Sequence, residues 1–323
     1  MSPAPVAAID CGTNSIRLLI ARRDDDTGQL VDLERHMEIV RLGYGVDRTG
    51  RFDPAAIDRT LDATRRYARL IDHHGADRIR FGATSATRDA ENRAEFISGV
   101  QEILGITPEV ITGADEAALS FRGAVSTIPA LAELDGAALV VDIGGGSTEL
   151  VLGRDEPDAR ISEDIGSVRL TERHLRTDPP TPAEVDAARA DIDALLDEAS
   201  AAVDLSSARA VVGVGGTVTT ITALALGLTE YQPDIAHGAE LGIETLIATC
   251  RRVLHLSTQE RSALSIIHPG RVDVIGAGAL IWERVLMRLA DNAGAGLSTA
   301  WSSEHDILDG IALSLMDGPP TTA

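Results

Sequence analysis

One nine-residue pattern occurs twice in this chain. It reads Asp10-Cys11-Gly12-Thr13-Asn14-Ser15-Ile16-Arg17-Leu18 near the start and Asp142-Ile143-Gly144-Gly145-Gly146-Ser147-Thr148-Glu149-Leu150 further on. Asp10/Asp142, Gly12/Gly144, Ser15/Ser147 and Leu18/Leu150 match at identical spacing. Each copy follows an apolar run, Val6-Ala7-Ala8-Ile9 or Leu139-Val140-Val141, and leads into another. Such a run, a tight turn and a second run predict a buried strand, a glycine turn and a return strand. Self-similarity of this kind implies two related units. The repeat therefore restricts the chain to two α/β halves, each built on a hairpin with an aspartate at the end of its first strand.

Glycines let a turn curl so that successive N–H groups converge on an anion with no side chain in the way. A carboxylate at the strand end would repel a bare phosphate. A divalent cation between the two removes the conflict, because Mg²⁺ takes one or two carboxylates together with phosphate oxygens and water. Asp142, the glycines 144–146 and Ser147 thus read as a metal–phosphate site. The plainer alternative is a hairpin turn with solvated polar residues. The second copy favours the site, since a polyanion held between two such loops is a simple reason to build the device twice.

Composition narrows the field. A length of 323 residues suits two domains. Aromatic residues make up 3% against 44% hydrophobic, so the cores must be Ala, Val, Leu and Ile. No apolar run reaches bilayer length, and residues 1–9 lack the features of a signal peptide, so no membrane role is expected. Cys11 and Cys250 give neither a disulfide framework nor metal-ligand spacing, which predicts a reduced, cytoplasmic setting. Every one of the 29 basic residues is Arg, so neither a Schiff-base lysine nor a P-loop lysine is available. The net charge is −21, and residues 1–123 hold 16 Arg against 20 acids, leaving −17 on the remainder. That field disfavours nucleic acid. Phosphate binding must come from local N–H groups, a few arginines and metal ions.

In chain order, residues 6–21 predict the first hairpin and 30–42 further strand, with a loop at 43–50. Asp53-Pro54 opens a helix as N-cap and first helical residue. Residues 78–82 predict a strand running into Ala83-Thr84-Ser85-Ala86-Thr87-Arg88, small and hydroxyl residues typical of a ligand-facing edge. Arg88 is suited to bind phosphate bidentately, or equally to pair with Asp89 or Glu91. Thr112-Gly113-Ala114-Asp115 has capping-box-like spacing. Asp115 suits a helix first turn. Glu116, ahead of Ala117-Ala118-Leu119, is either another such acid or a partly buried general base toward water.

Residues 165–171 read as a strand end with a polar turn, and Thr181-Pro182-Ala183-Glu184 as a helix start. The helix 183–202 carries acids at 184, 186, 191, 193, 197 and 198, read as a solvated face. Gly213-Val214-Gly215-Gly216-Thr217 is a third glycine loop after a strand, and the helix behind it makes a ready anion site. His237, His268 and His305 lack ligand spacing. A last helix spans about 304–317 and is expected to pack back on the first domain.

The full set of motifs resembles the exopolyphosphatase/guanosine pentaphosphate phosphohydrolase (Ppx/GppA) family. It is carried by A-I-D-C-G-T-N-S-I-R-L-L-I (8–20), A-T-S-A-T-R-D-A-x-N (83–92), I-T-G-A-D-E-A (111–117), V-V-D-I-G-G-G-S-T-E-L (140–150), G-V-G-G-T (213–217), H-P-G-R-V-D-V-I (268–275) and S-E-H-D-I-L-D-G (303–310). The compact form is similar to the actinobacterial exopolyphosphatases. The resemblance implies two actin-like (ribonuclease H-like) domains with an interdomain cleft, at 1–121 and 122–303. It implies Glu116 as the water-activating base, with Asp115 departing from the family's first glutamate. It implies metal ligation by Asp142, Glu149 and Asp10. Phosphate contacts would fall on Asp10, Gly12, Thr13, Asn14, Ser15, Arg88, Gly144, Gly145, Gly146, Ser147, Gly215, Gly216 and Thr217. Mg²⁺ or Mn²⁺ is the implied cofactor and a homodimer the implied assembly.

The expected activity is metal-dependent, processive release of orthophosphate from the end of inorganic polyphosphate, with Glu116 directing water in line. Hydrolysis of the terminal phosphate of guanosine pentaphosphate (pppGpp) would use the same residues plus a guanosine pocket. A kinase of the same fold would need a nucleotide pocket behind Gly213–Thr217 and insertions not evident between 20 and 83. A polyphosphate or alarmone sensor would not need a base.

Overall fold

The computed structural model describes residues 4–291 and 297–317. The chain divides into two compact units, Met1–Leu119 with Ile307–Ala323, and Ser120–Asp306. The divisions fall between 119 and 120 and between 306 and 307, where the sequence placed them at 121/122 and 303/304. The first of them lies inside one helix, Gly113–Val125, which is why no turn signal marks it.

The first unit is a five-stranded sheet of β1 (Val6–Cys11), β2 (Ser15–Arg23), β3 (Leu30–Ile39), β4 (Arg78–Ala83) and β5 (Glu109–Val110). The strand order is β3-β2-β1-β4-β5, antiparallel through β1, β2 and β3 and parallel from β1 to β4 and β5. All six residues of β1 are buried, as expected of a strand covered on both faces. Ala7, Ile9 and Cys11 join a layer with Tyr67 of helix Pro54–His74 and Phe96 of helix Arg93–Leu104. Val6 and Ala8, on the alternate face, pack with Ile307, Leu308, Ile311 and Ala312 of helix Ile307–Asp317. Arg35 of β3 reaches that helix with a 2.5 Å ion pair to the buried Asp309. The helix Pro54–His74 starts as read, with Asp53 Oδ1 accepting from Ala55 and Ala56 N–H.

The second unit holds β6 (Ala137–Ile143), β7 (Thr148–Gly153), β8 (Pro157–Glu163), β9 (Ala208–Val214), β10 (Glu240–Gly242) and β11 (Thr299–Ser302), in the order β10-β11-β9-β6-β7-β8. Counted from the other edge, β8-β7-β6-β9-β11 repeats β3-β2-β1-β4-β5, with β10 added antiparallel to β11. The repeated motif therefore sits at the same topological place twice, as the β1–β2 and β6–β7 turns. Each unit is an actin-like, ribonuclease H-like α/β sheet, the architecture the resemblance implies. Among the described residues no helix is long and apolar enough to cross a membrane.

Several local readings differ from the structure. Residues 43–50 contain a helical turn, Val46–Thr49, between two glycines in left-handed conformation. Residues 165–171 lead into helix Ser167–His174 and not a strand end. That helix is stabilised from afar: Ser167 N donates to Gly144 O, and Val168 N and Arg169 N donate to Gly145 O. The acids of helix Pro182–Ala202 are not simply a solvated face. Asp193 pairs with Arg284 at 2.8 Å, Asp197 with Arg288 at 2.6 Å, and Asp191 with His174 at 2.9 Å.

Gly310 marks the tightest approach in the first unit, since a Cβ there would lie 2.0 Å from the carbonyl oxygen of Leu119. Gly310→Ala should cost about 1–3 kcal/mol, the usual range for overpacking. A thermal unfolding curve unchanged from wild type would contradict this packing.

Candidate active site

The first loop closes as a tight hairpin. Gly12 N donates to Ser15 O at 3.0 Å, and the Asn14 and Thr13 carbonyls accept from Val40, Arg41 and Gly43 N–H. Those bonds fix the turn from outside, so its shape is set by residues about thirty positions away. Asp10 is 5% exposed and Thr13 7%, so both lie at the end of the central strand β1 with little solvent. Arg17, directly opposite Asp10 across β1 and β2, donates through Nε at 3.0 Å and Nη2 at 2.7 Å to Asp10 Oδ2.

Glu116 lies in the first turn of helix Gly113–Val125 and is buried, 8% exposed. Arg88 Nη1 donates to Glu116 Oε2 at 2.6 Å and to the Ile111 carbonyl at 3.0 Å. Arg88 therefore takes Glu116 as a partner, while Glu91 pairs with Arg51 at 3.4 Å. Burial pushes the Glu116 carboxyl up to about 7, against the opposing pull of Arg88 and of a hydrogen bond from Thr84, with Asp10 nearby adding to the rise. A carboxyl poised near neutrality fits a group that must take and release a proton at ordinary pH. Asp115 shares a 2.7 Å hydrogen bond with Thr112 Oγ1 and belongs to the helix cap.

In the second unit the loop repeats the first in detail, with Gly144 N donating to Ser147 O at 3.0 Å. Asp142 and Glu149 are cross-strand partners on β6 and β7, which puts their side chains on one face. Their exposures are 8% and 1%. Asp142 Oδ2 accepts from Ser120 Oγ at 2.5 Å, and Glu149 Oε1 accepts from Ser162 Oγ at 2.8 Å. Two carboxylates on one buried face suit a hard divalent cation whose remaining positions are filled by phosphate oxygens and water. Among the described residues there is no group of three or more His, Cys, Asp or Glu able to hold a metal. Asp142 and Glu149 are thus two hard oxygen donors, short of an all-protein cage. Asp10 differs, as it already faces a guanidinium.

The third loop follows β9. Gly215 has φ +86°, and a Cβ there would meet Ile143 O at 2.8 Å and Asp142 Oδ1 at 3.1 Å, so the loop passes close beside Asp142. Helix Gly216–Ala225 begins at once. The Arg271 guanidinium lies on Gly216, where any Cβ would stand 1.6 Å from Nη1. Of the residues singled out from sequence, Asp10, Arg88 and Glu116 come together in the first unit, and Asp142, Glu149 and Gly215 in the second. Ser120, Thr84, Ser162, Arg17 and Arg271 were missed as partners. Two of them left a signal: Arg17 overlays Glu149 when the two motifs are aligned, and Thr84 lies in the hydroxyl-rich stretch after the strand at 78–82.

The Ppx/GppA phosphatase family profile matches residues 19–315. This chain belongs to that family. It is 49% identical over 322 residues to exopolyphosphatase 2 of Mycobacterium tuberculosis, covering 98% of this chain and 99% of that one. A crystal structure of an exopolyphosphatase-like protein superposes with a TM-score of 0.92 at 47% identity, covering 97% and 98% of the two chains. The guanosine-5'-triphosphate,3'-diphosphate pyrophosphatase of Vibrio cholerae is 37% identical over 171 residues, 53% of this chain and 33% of that protein. The likeness to the first two spans the chain, and the last is partial.

Arg88 and Thr84 both favour the ionised form of Glu116. Thr84→Val and Arg88→Met should each raise its titration midpoint further above 7, followed by ¹³C NMR of labelled glutamate. A midpoint that stays put or falls in Arg88→Met would show that the ion pair does not hold this carboxylate.

Proposed function

We propose that this protein is an exopolyphosphatase that releases orthophosphate from the end of inorganic polyphosphate. The observation that carries the reading is Glu116: a buried carboxyl, tied to Arg88 at 2.6 Å and pushed up to about 7, at the position of the family's water-activating glutamate. A structural acid in a helix first turn would sit in solvent and keep its ordinary affinity for protons.

The residues divide the work by chemistry. Glu116 accepts the proton of the attacking water at a carboxylate oxygen. Arg88 orients that carboxylate and supplies a cation to phosphate oxygens. The N–H groups of Gly12, Thr13, Asn14 and Ser15, and of Gly144, Gly145, Gly146 and Ser147, hold phosphate oxygens, as do Gly215, Gly216 and Thr217 at a helix N-terminus. Asp142 and Glu149 hold Mg²⁺ or Mn²⁺. When bound, that ion neutralises charge on the phosphoryl oxygens of a loose transition state, where positioning and electrostatics supply most of the rate. Water attack breaks the terminal phosphoanhydride P–O bond, giving orthophosphate and a chain one phosphate shorter. The reading includes a reduced, cytoplasmic setting, in keeping with two buried free thiols, and a homodimer. Attack on pppGpp would use the same groups, and substrate comparison separates the two.

Orthophosphate release from long-chain polyphosphate should require added Mg²⁺ and fall by about 10²–10⁴ in kcat for Glu116→Gln, the usual contribution of a general base. Binding of polyphosphate should persist in that variant. Hydrolysis of pppGpp with polyphosphate untouched would replace the substrate assignment. Binding with no release from either would leave a sensor.

The base must be ionised to act, so kcat should rise with pH through about 7 and level off above it. A rate already flat from pH 5 upward would remove Glu116 from the role.

A further inference from the structure

The row of side chains across each hairpin differs in sign at one place. In the second unit Asp142 stands opposite Glu149, and Glu149 opposite Ser162. In the first, Asp10 stands opposite Arg17, and Arg17 opposite Met37. Arg17 and Glu149 occupy the same position of the repeated motif. A guanidinium on one hairpin therefore holds the place that a carboxylate holds on the other.

The contact is specific. Both Nε and Nη2 of Arg17 address a single oxygen of Asp10, at 3.0 and 2.7 Å. The aspartate side chain is 7% exposed and the arginine 22%. A carboxylate taken out of water needs a cation or several hydrogen bonds, and the pair supplies a cation that cannot exchange or lose its charge. A divalent cation at this carboxylate would stand next to a guanidinium already bound to Oδ2.

We propose that Arg17 substitutes for a divalent cation at the first loop. Asp10 is then a positioning residue held by Arg17, and not a metal ligand. The two loops become chemically unequal: the first receives phosphate on N–H groups beside a neutralised Asp10, and the second receives it through the ion on Asp142 and Glu149. The chain binds one divalent ion and not two. For the second hairpin this rests on the hydrolase reading above.

Ion counting on the full-length protein tests it, with Mn²⁺ alone as the probe and no substrate present. Titration followed by electron paramagnetic resonance should give one Mn²⁺ per chain. Glu149→Gln should lose it, and Asp10→Asn should keep it with little change in affinity. Arg17→Glu recreates the acid–acid row of the second hairpin and should take two. Gain of an ion is not an effect that mere loosening of the fold produces. Should Arg17→Glu fail to fold by circular dichroism, Asp10→Asn decides. Two ions in the wild type, none at all, or binding at least about tenfold weaker in Asp10→Asn, the scale of loss for groups supporting a metal site, would overturn the proposal. Orthophosphate release is measured separately, so one ion without hydrolysis would overturn the activity and leave this assignment standing.

Discussion

A carboxylate buried at the end of a central strand is the constraint on which both halves depend. Charged oxygens out of water must be paired or hydrogen-bonded, or the fold loses several kcal/mol on the order of 3–5 for an orphaned buried charge. Asp10 meets part of that requirement through Oδ2, which takes Arg17, and Asp142 receives Ser120. Neither residue helps form a core. Asp10 is tolerated because its own hairpin brings Arg17 to it, and Asp142 because helix Gly113–Val125 brings Ser120. The apolar layers on both faces of β1 fix those elements firmly enough for the pairing to hold.

Glu116 shows the other side of the same physics. Its burial is only partly compensated, and the carboxyl consequently sits near neutrality and not in the ordinary acid range. Full compensation would leave it permanently ionised and a poor proton acceptor. Complete isolation would leave it protonated. Arg88 and Thr84 pull one way while burial and Asp10 pull the other, and the balance yields a base suited to water.

Much of the fold was legible because its signals are local. The two Asp–Gly hairpins, the Asp53-Pro54 start and the Thr181–Glu184 start are written in stretches of a few residues, and each appears as read. What failed was set at a distance. Ser167–His174 is a helix because its first N–H groups find the carbonyls of Gly144 and Gly145, some twenty residues earlier, and nothing within 165–171 says so. The acids of Pro182–Ala202 are solvated as read, and what went unseen is their pairing with Arg284 and Arg288, nearly a hundred positions away. The site follows the same division. Loop residues were identifiable from spacing, whereas the pairing of Arg88 with Glu116 joins two segments whose local sequences suggested other partners.

The last helix, Ile307–Asp317, has a consequence for how the protein is made. Its Ile307, Leu308, Ile311 and Ala312 complete a layer begun by Val6, Ala8, Leu19 and Ala21. On the ribosome the first sheet emerges before the second unit with one apolar face uncovered, and the segment that covers it follows only after residue 306. The second unit, continuous in sequence, can finish folding before the first. The first sheet thus waits for residues 307–317, with exposed Val, Ala and Leu surface in the interval. Release of a chain truncated before residue 307 would leave that surface open to chaperones and to self-association.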